Sequence, residues 1–147
     1  MERVEEIMTR DVVTVKENHM LMEAAKIIRE RNVSGAPVLN EEGDAVGVLS
    51  EADVLKVLGD IPWYSLNRIL HFQEQEQDIE QEMEKMSKMR VKDVMSKHPQ
   101  TVDSSDLIND AASIMHSTGY NRLPVVDRGK LVGIVTRADI LASLQED

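Results

Sequence analysis

The chain is written twice. Placing Val4-Glu5-Glu6-Ile7-Met8 over Val91-Lys92-Asp93-Val94-Met95 sets an offset of 87 residues. At that offset Thr14-Val15 falls on Thr101-Val102, Ala24-Ala25 on Ala111-Ala112, Ile27 on Ile114 and Pro37-Val38 on Pro124-Val125. One deletion, Glu41-Glu42-Gly43 against Arg128-Gly129, shifts the offset to 86. Val46-Gly47 then meets Val132-Gly133, Ala52-Asp53 meets Ala138-Asp139, and Leu55 meets Leu141. A register that survives a whole unit with one gap, itself in a turn, marks an internal repeat, and a repeat constrains the fold more than any local propensity. The units run over 1–58 and 91–147, with an insert over 59–90.

Both units read alike. Val12-Val13-Thr14-Val15 and Gln100-Thr101-Val102 are short extended segments. Leu21, Ala24, Ala25 and Ile28, like Ile108, Ala111, Ala112 and Met115, recur at helical spacing and predict one apolar stripe. Asn18 and Ser105 stand where an N-cap is expected. Ala36-Pro37-Val38-Leu39 and Leu123-Pro124-Val125-Val126 read as strands opening on proline. Glycine-bearing hairpin turns at 41–44 and 127–130 lead to return strands over 45–49 and 131–135. Short helices follow, Glu51 to Leu58 and Arg137 to Leu144. The expected fold class is therefore α/β in the α+β sense. It comprises two pseudo-twofold βαββα repeats packed sheet to sheet, with an extra helical linker between them. A unit of about 55 residues is a marginal folder alone, and pairing two of them both completes the core and creates two equivalent clefts.

Composition narrows what such a pair can do. Hydrophobic residues make up 41% and aromatics 3%, so the core is aliphatic. There is no cysteine, which removes disulfides, thiolate metal sites and cysteine nucleophiles. A net charge of −10 argues against nucleic acid and anionic membranes as partners, since both reward clustered Lys and Arg. No apolar run nears the roughly 20 residues that cross a bilayer. The first residues, Met1-Glu2-Arg3-Val4, lack the n-region and h-region of a secretory signal, so the expected setting is cytoplasmic.

The most informative motif is Gly47-Val48-Leu49-Ser50-Glu51-Ala52-Asp53, matched by Gly133-Ile134-Val135-Thr136-Arg137-Ala138-Asp139. A strand ends, a hydroxyl residue follows, and an Asp stands three residues later in the first turn of a helix. One reading is purely structural: Ser/Thr-x-x-Asp has the form of a capping box. The other is chemical: a carboxylate fixed at a helix start can accept from the hydroxyls of a ribose. Such an Asp repels phosphate, so a phosphate needs cations, and Arg122, Lys130 and Arg137 surround the second copy while Arg29 and Arg31 precede the strand in the first. Each of these is also simply a candidate surface charge.

The combination Ile-Met, Thr-Val, Ala-Ala, Pro-Val and Gly-hydrophobic-x-Ser/Thr-x-x-Asp, present twice, resembles the CBS domain (the cystathionine-β-synthase-type motif), over all but about 30 insert residues. The resemblance implies a Bateman module, a regulatory pair of repeats that binds AMP, ADP, ATP or S-adenosylmethionine and often dimerises. It implies no catalytic cofactor. Carried over by position, Asp53 and Asp139 would hold ribose hydroxyls, and Ser50 and Thr136 would contact ribose or phosphate oxygens. Thr14 and Thr101 would line an adenine pocket, which Ala36 and Leu123 would close. Arg122 would meet phosphate, with Arg137 beside it. The first copy has Gly35 and Glu51 at the positions of Arg122 and Arg137, so the two sites are expected to differ.

Enzyme signatures are missing. His19, His71, His98 and His116 form no metal-binding spacing, and there is no phosphate-binding glycine loop or nucleophile elbow. The expectation is a non-enzymatic sensor that forms a homodimer and acts on an unidentified partner protein. A ligand-free scaffold of the same fold is the alternative. In the insert, Leu66, Ile69 and Leu70, then Ile79, Met83 and Met86, have helical spacing and suit either a solvated connection or a partner-binding helix.

Overall fold

The computed structural model describes residues 2–59 and 84–145. Most of the insert, including Leu66, Ile69, Leu70, Ile79 and Met83, lies outside the described residues. In chain order the elements are α1 (Val4–Ile7), β1 (Val15–Lys16), α2 (Leu21–Glu30), β2 (Gly35–Leu39), β3 (Ala45–Ser50) and α3 (Glu51–Gly59). The second set is α4 (Val91–Val94), β4 (Ser96–Lys97), β5 (Val102–Asp103), α5 (Ile108–Thr118), β6 (Arg122–Asp127), β7 (Lys130–Thr136) and α6 (Arg137–Ser143). The fold is mixed α+β, with one sheet ordered β1-β2-β3-β4 and another ordered β5-β6-β7. The βαββα order within each repeat and both main helices follow the sequence reading, while α1, α4 and β4, on the segments ahead of each repeat's first strand, are additional to it. The lead strands are shorter than expected, two residues each, with Val12–Thr14 and Gln100–Thr101 left outside them.

Two compact units divide the chain, and their limits cross those of the repeats. One comprises Met1–Val12, Leu39–Val46 and His98–Asp147; the other comprises Val13–Val38 and Gly47–Lys97. The lead segment of each repeat has thus been exchanged. In the first unit, Val4 from the start of the chain is buried with Val102, Ala111, Met115, Leu123, Val125 and Val135, while Ile7 and Met8 pack against that cluster. In the second, Val91 is buried, as are Val15, Leu21, Ala24, Ile28, Ala36, Val38 and Leu49, and α4 packs on α2 and α3.

Hydrogen bonds repeat the exchange position by position. Val4 N donates to Asp106 O at 2.8 Å and Glu5 N to Ser104 O at 3.0 Å. At the equivalent places Val91 N donates to His19 O at 2.9 Å and Lys92 N to Glu17 O at 3.0 Å. Arg3 Nη1 donates to Ser105 O, and Arg90 Nη1 to Asn18 O. Asn18 and Ser105 are therefore not helix caps. They sit in the turn that receives the exchanged segment, and the N-caps are Met20 and Leu107. Ser105 is engaged locally, donating through N and Oγ to Asp103 Oδ1, and those two bonds hold the Asp103 carboxyl below its usual range.

Two glycines make the exchange possible. A Cβ on Gly133 would lie 2.6 Å from Met8 Sδ and 2.9 Å from Thr9 O. On Gly47 it would lie 2.6 Å from Met95 Sδ and 2.8 Å from Ser96 O. Those backbone oxygens cannot retreat. Thr9 and Ile134 exchange bonds of 2.8 and 2.9 Å, and Ser96 is the register partner of Val48 in the antiparallel β3–β4 pair. Glycine in the motif thus records the close approach of another backbone.

Proline placement follows from the pairing. Pro124 is the third residue of β6, not its opening residue, and β6 is the central strand. It is tolerated there because β5 is short and begins its pairing one residue later, at Val102 with Val125, so no lost N–H bond faces β5 at Pro124. The β6–β7 loop, Arg128-Gly129, has φ of 54° and 83°, which is the backbone of a type I′ turn. The β2–β3 turn is longer: Asn40 Oδ1 accepts from Glu42 N at 3.0 Å and Asp44 N at 2.9 Å, and Gly43 takes φ of 84°. Lys130, a candidate phosphate cation in the sequence, is instead engaged by this hairpin, 2.8 Å from Asp44 Oδ1 and 2.6 Å from Glu42 O. Lys130 first, and Asn40 second, hold the Asp44 carboxyl below its usual range.

Candidate functional site

Each Ser/Thr-x-x-Asp motif is built at the joint of a strand and a helix. Thr136 ends β7 in an extended conformation, and α6 begins at the next residue. Thr136 N donates to Asp139 Oδ2 at 2.9 Å and Asp139 N to Thr136 Oγ1 at 3.1 Å. The first repeat is the same: Ser50 N donates to Asp53 Oδ2 at 3.0 Å and Asp53 N to Ser50 Oγ at 3.2 Å. Both motifs are therefore reciprocal capping boxes. Forming the box uses one carboxylate oxygen, Oδ2, and leaves Oδ1 turned away from the backbone amide. Ser50, Asp53, Thr136 and Asp139 are all half-buried, so these carboxylates keep accessible surface.

A second hydroxyl meets each carboxylate. Ser96 Oγ donates to Asp53 Oδ1 at 3.4 Å. Thr9 Oγ1 lies 3.4 Å from Asp139 Oδ2 and 3.5 Å from Oδ1. Thr9 and Ser96 are equivalent residues at the 87 offset, carried on the exchanged segments. Sequence reasoning missed both. The signal was the alignment itself, which places two hydroxyl residues directly after Ile7-Met8 and Val94-Met95; what was invisible was that each segment crosses to the other motif.

The remaining predicted residues separate into two groups. Arg122 is half-buried on β6 and is the register partner of Thr136, so it joins the second motif. Arg137 is exposed at the first position of α6, where its N–H donates to Asn121 O at 2.9 Å. In the first repeat Glu51 N makes the equivalent bond to Ser34 O at 2.9 Å. Gly35 there is tightly packed, since a Cβ would lie 3.0 Å from Leu49 O and 3.2 Å from Ser50 Cα, and the backbone would have to give by a few tenths of an ångström. The charge asymmetry read from the sequence is thus a packing asymmetry too.

Thr14 and Thr101 lie half-buried just ahead of β1 and β5, and among the described residues neither side chain hydrogen-bonds to a motif residue. Ala36 and Leu123, expected to close on a base, have no accessible surface, and Leu123 is spent in the core cluster. Arg29 and Arg31 end α2, exposed to solvent. Among the described residues no His, Asp and Glu grouping could hold a metal ion, and no helix is long and apolar enough to cross a membrane.

Comparison with known proteins matches this architecture. The chain is 33% identical to MJ1426 of Methanocaldococcus jannaschii over 96% of its length and 90% of that protein's. It is 34% identical to the chloroplastic CBS domain-containing protein CBSX1 of Arabidopsis thaliana, over 97% of its own length and 64% of the relative's. Among solved structures, CBSX2 in complex with AMP superposes with a TM-score of 0.76 at 30% identity, covering 99% of this chain and 98% of that one. The CBS domain family model matches residues 4–60 and again 91–146, the two repeats. The chain belongs to the CBS-domain family, as a tandem pair.

Proposed function

We propose that this chain is a regulatory module that binds an adenosine-containing ligand at its Ser/Thr-x-x-Asp motifs and works without catalysis. The observation that carries the reading is the state of the motif carboxylates. Asp53 and Asp139 are each anchored through Oδ2, half-exposed, and among the described residues touched at Oδ1 only by a long hydroxyl contact of 3.4–3.5 Å. A long contact is weak and readily exchanged. Ribose hydroxyls are donors that could take its place, and a hydroxyl donating to a carboxylate makes a charge-assisted bond. AMP in the similar CBSX2 supports adenosine as the class.

The second repeat is the better phosphate site. Arg122 stands beside Thr136 and Arg137 opens α6, whereas Gly35 and Glu51 hold those places in the first repeat. Calorimetric titration of AMP and of adenosine tests the reading. Wild type should prefer AMP at its tighter site, and Arg122→Ala should lose about ten-fold for AMP but little for adenosine, the worth of one charge-assisted bond. Wild type that takes up neither compound would overturn the reading in favour of a ligand-free scaffold. Equal behaviour of Arg122→Ala toward AMP would remove Arg122 from the site.

The same reading includes a homodimer. Leu55 on α3 is 64% exposed, and Leu141 and Leu144 at the end of α6 are 54% and 74% exposed. Leu55 and Leu141 are repeat-equivalent, and aliphatic surface displayed at matching positions suits a twofold contact. Light scattering should return twice the 16.6 kDa chain mass at micromolar concentration. Leu55→Glu with Leu141→Glu should return the single-chain mass, and a monomeric wild type would refute the dimer.

A further inference from the structure

Thr9 and Ser96 have no role in either capping box, yet both aim a hydroxyl at a motif carboxylate. They come from segments far from those motifs in sequence: Thr9 is 130 residues from Asp139, and Ser96 is 43 from Asp53. Their backbones are clamped where a side chain can do this, Thr9 by paired bonds to Ile134 and Ser96 in register with Val48. Ile134 and Val48 stand two residues before Thr136 and Ser50, so each clamp sits at the same distance from its motif. Both residues are exposed, so packing does not account for them. A duplicated chain that holds a hydroxyl at both places has kept a chemical group, since one position is Thr and the other Ser.

We propose that Thr9 and Ser96 are positioning residues for ligand recognition, which hold the carboxylates of Asp139 and Asp53 toward a vicinal diol. This rests on the adenosine reading given above. A carboxylate anchored to the backbone only through Oδ2 can swing about its Cβ–Cγ bond. A second hydroxyl, from Ser96 on Asp53 Oδ1 and from Thr9 across both oxygens of Asp139, restrains that swing, and its own lone pairs can accept from the second hydroxyl of the diol. The pair presents acceptors to adjacent sugar hydroxyls while the cap stays intact. Because each hydroxyl arrives on an exchanged segment, occupancy of a motif is coupled to docking of the lead segment that crosses to it.

The test compares wild type with the double variant Thr9→Val, Ser96→Ala, titrated by calorimetry with AMP and with 2′,3′-dideoxyadenosine monophosphate. The double variant should bind AMP about five-fold more weakly, the value of a long hydroxyl–carboxylate contact. It should bind the dideoxy nucleotide as wild type does, since that ligand offers no diol to be oriented. Thr9→Ser with Ser96→Thr should restore AMP affinity to within about two-fold, because the hydroxyl is what matters. Unchanged AMP binding in the double variant overturns the inference while leaving the adenosine reading standing. Equal losses for both nucleotides overturn it also, marking general damage to the site. Wild type that fails to bind AMP overturns the adenosine reading and this one with it. Should the valine variant fold poorly, Thr9→Ala replaces it, with the same outcomes.

Discussion

Asp139→Ala is expected to weaken adenosine-nucleotide binding by about ten- to a hundred-fold, the loss of one to two charge-assisted hydrogen bonds. The same substitution should cost only about 1 kcal/mol of stability, the usual worth of a helix cap. The two effects have separate origins in one side chain. Oδ2 serves the fold, accepting from Thr136 N at 2.9 Å, and removing it frees the first turn of a seven-residue helix. Oδ1 has no backbone partner, so the proposed ligand is the main loser when it goes. Asp139→Asn sharpens the contrast, because it keeps an oxygen that can accept from Thr136 N and loses the charge. Thermal denaturation should place Asp139→Asn near wild type, and calorimetry should place its affinity well below. A folded Asp139→Ala protein with wild-type affinity would reduce the motif to a helix cap.

Gly133→Val is expected to be the most damaging single substitution in the motif for folding, at about 3 kcal/mol, the upper part of the overpacking range. For a chain of this length that corresponds to a fall in Tm of roughly 6–12 °C. The cause is space, not conformation. A Cβ would meet Met8 Sδ at 2.6 Å, from which the thioether can turn away. It would also meet Thr9 O at 2.9 Å, and that oxygen accepts from Ile134 N at 2.9 Å, so it can move only by breaking the pairing. Gly47→Val should behave alike, against Met95 and Ser96 O. By contrast, Gly119→Val should cost through backbone strain alone, since Gly119 has φ of 79° and open space around its Cβ position. Differential scanning calorimetry of the three variants distinguishes the mechanisms: Met8→Ala should partly rescue Gly133→Val and leave Gly119→Val unchanged. Failure of that rescue would show that the backbone clash alone sets the cost.

The order of elements was legible because each signal is local. Leu21, Ala24 and Ile28 are buried on α2, and Ala111 and Met115 on α5, along the stripes that helical spacing marks. The hairpin glycines and the capping boxes of the two motifs were equally legible, since a turn or a cap is decided by residues within four positions of one another. The family followed from the same local pattern, repeated. Lead strands and caps were misjudged where long-range pairing decides: β1 and β5 stop at two residues, and Asn18 and Ser105 serve as receptors for Arg90 and Arg3.

What the sequence by itself determined is the duplication, the βαββα elements of each repeat and the position of the two motif carboxylates. The tertiary structure alone decided which lead segment serves which motif. Thr9 and Ser96 reach Asp139 and Asp53 only after the exchange, and no local pattern records it, because either pairing presents the same apolar faces. It also decided which candidates are accessible. Leu123 and Asp139 both lie in the repeat, yet one is enclosed by Val4, Val102 and Val125 while the other is half-buried and keeps accessible surface. Type and spacing set what a residue can do chemically; burial, which sums contacts from distant segments, sets whether a ligand can reach it.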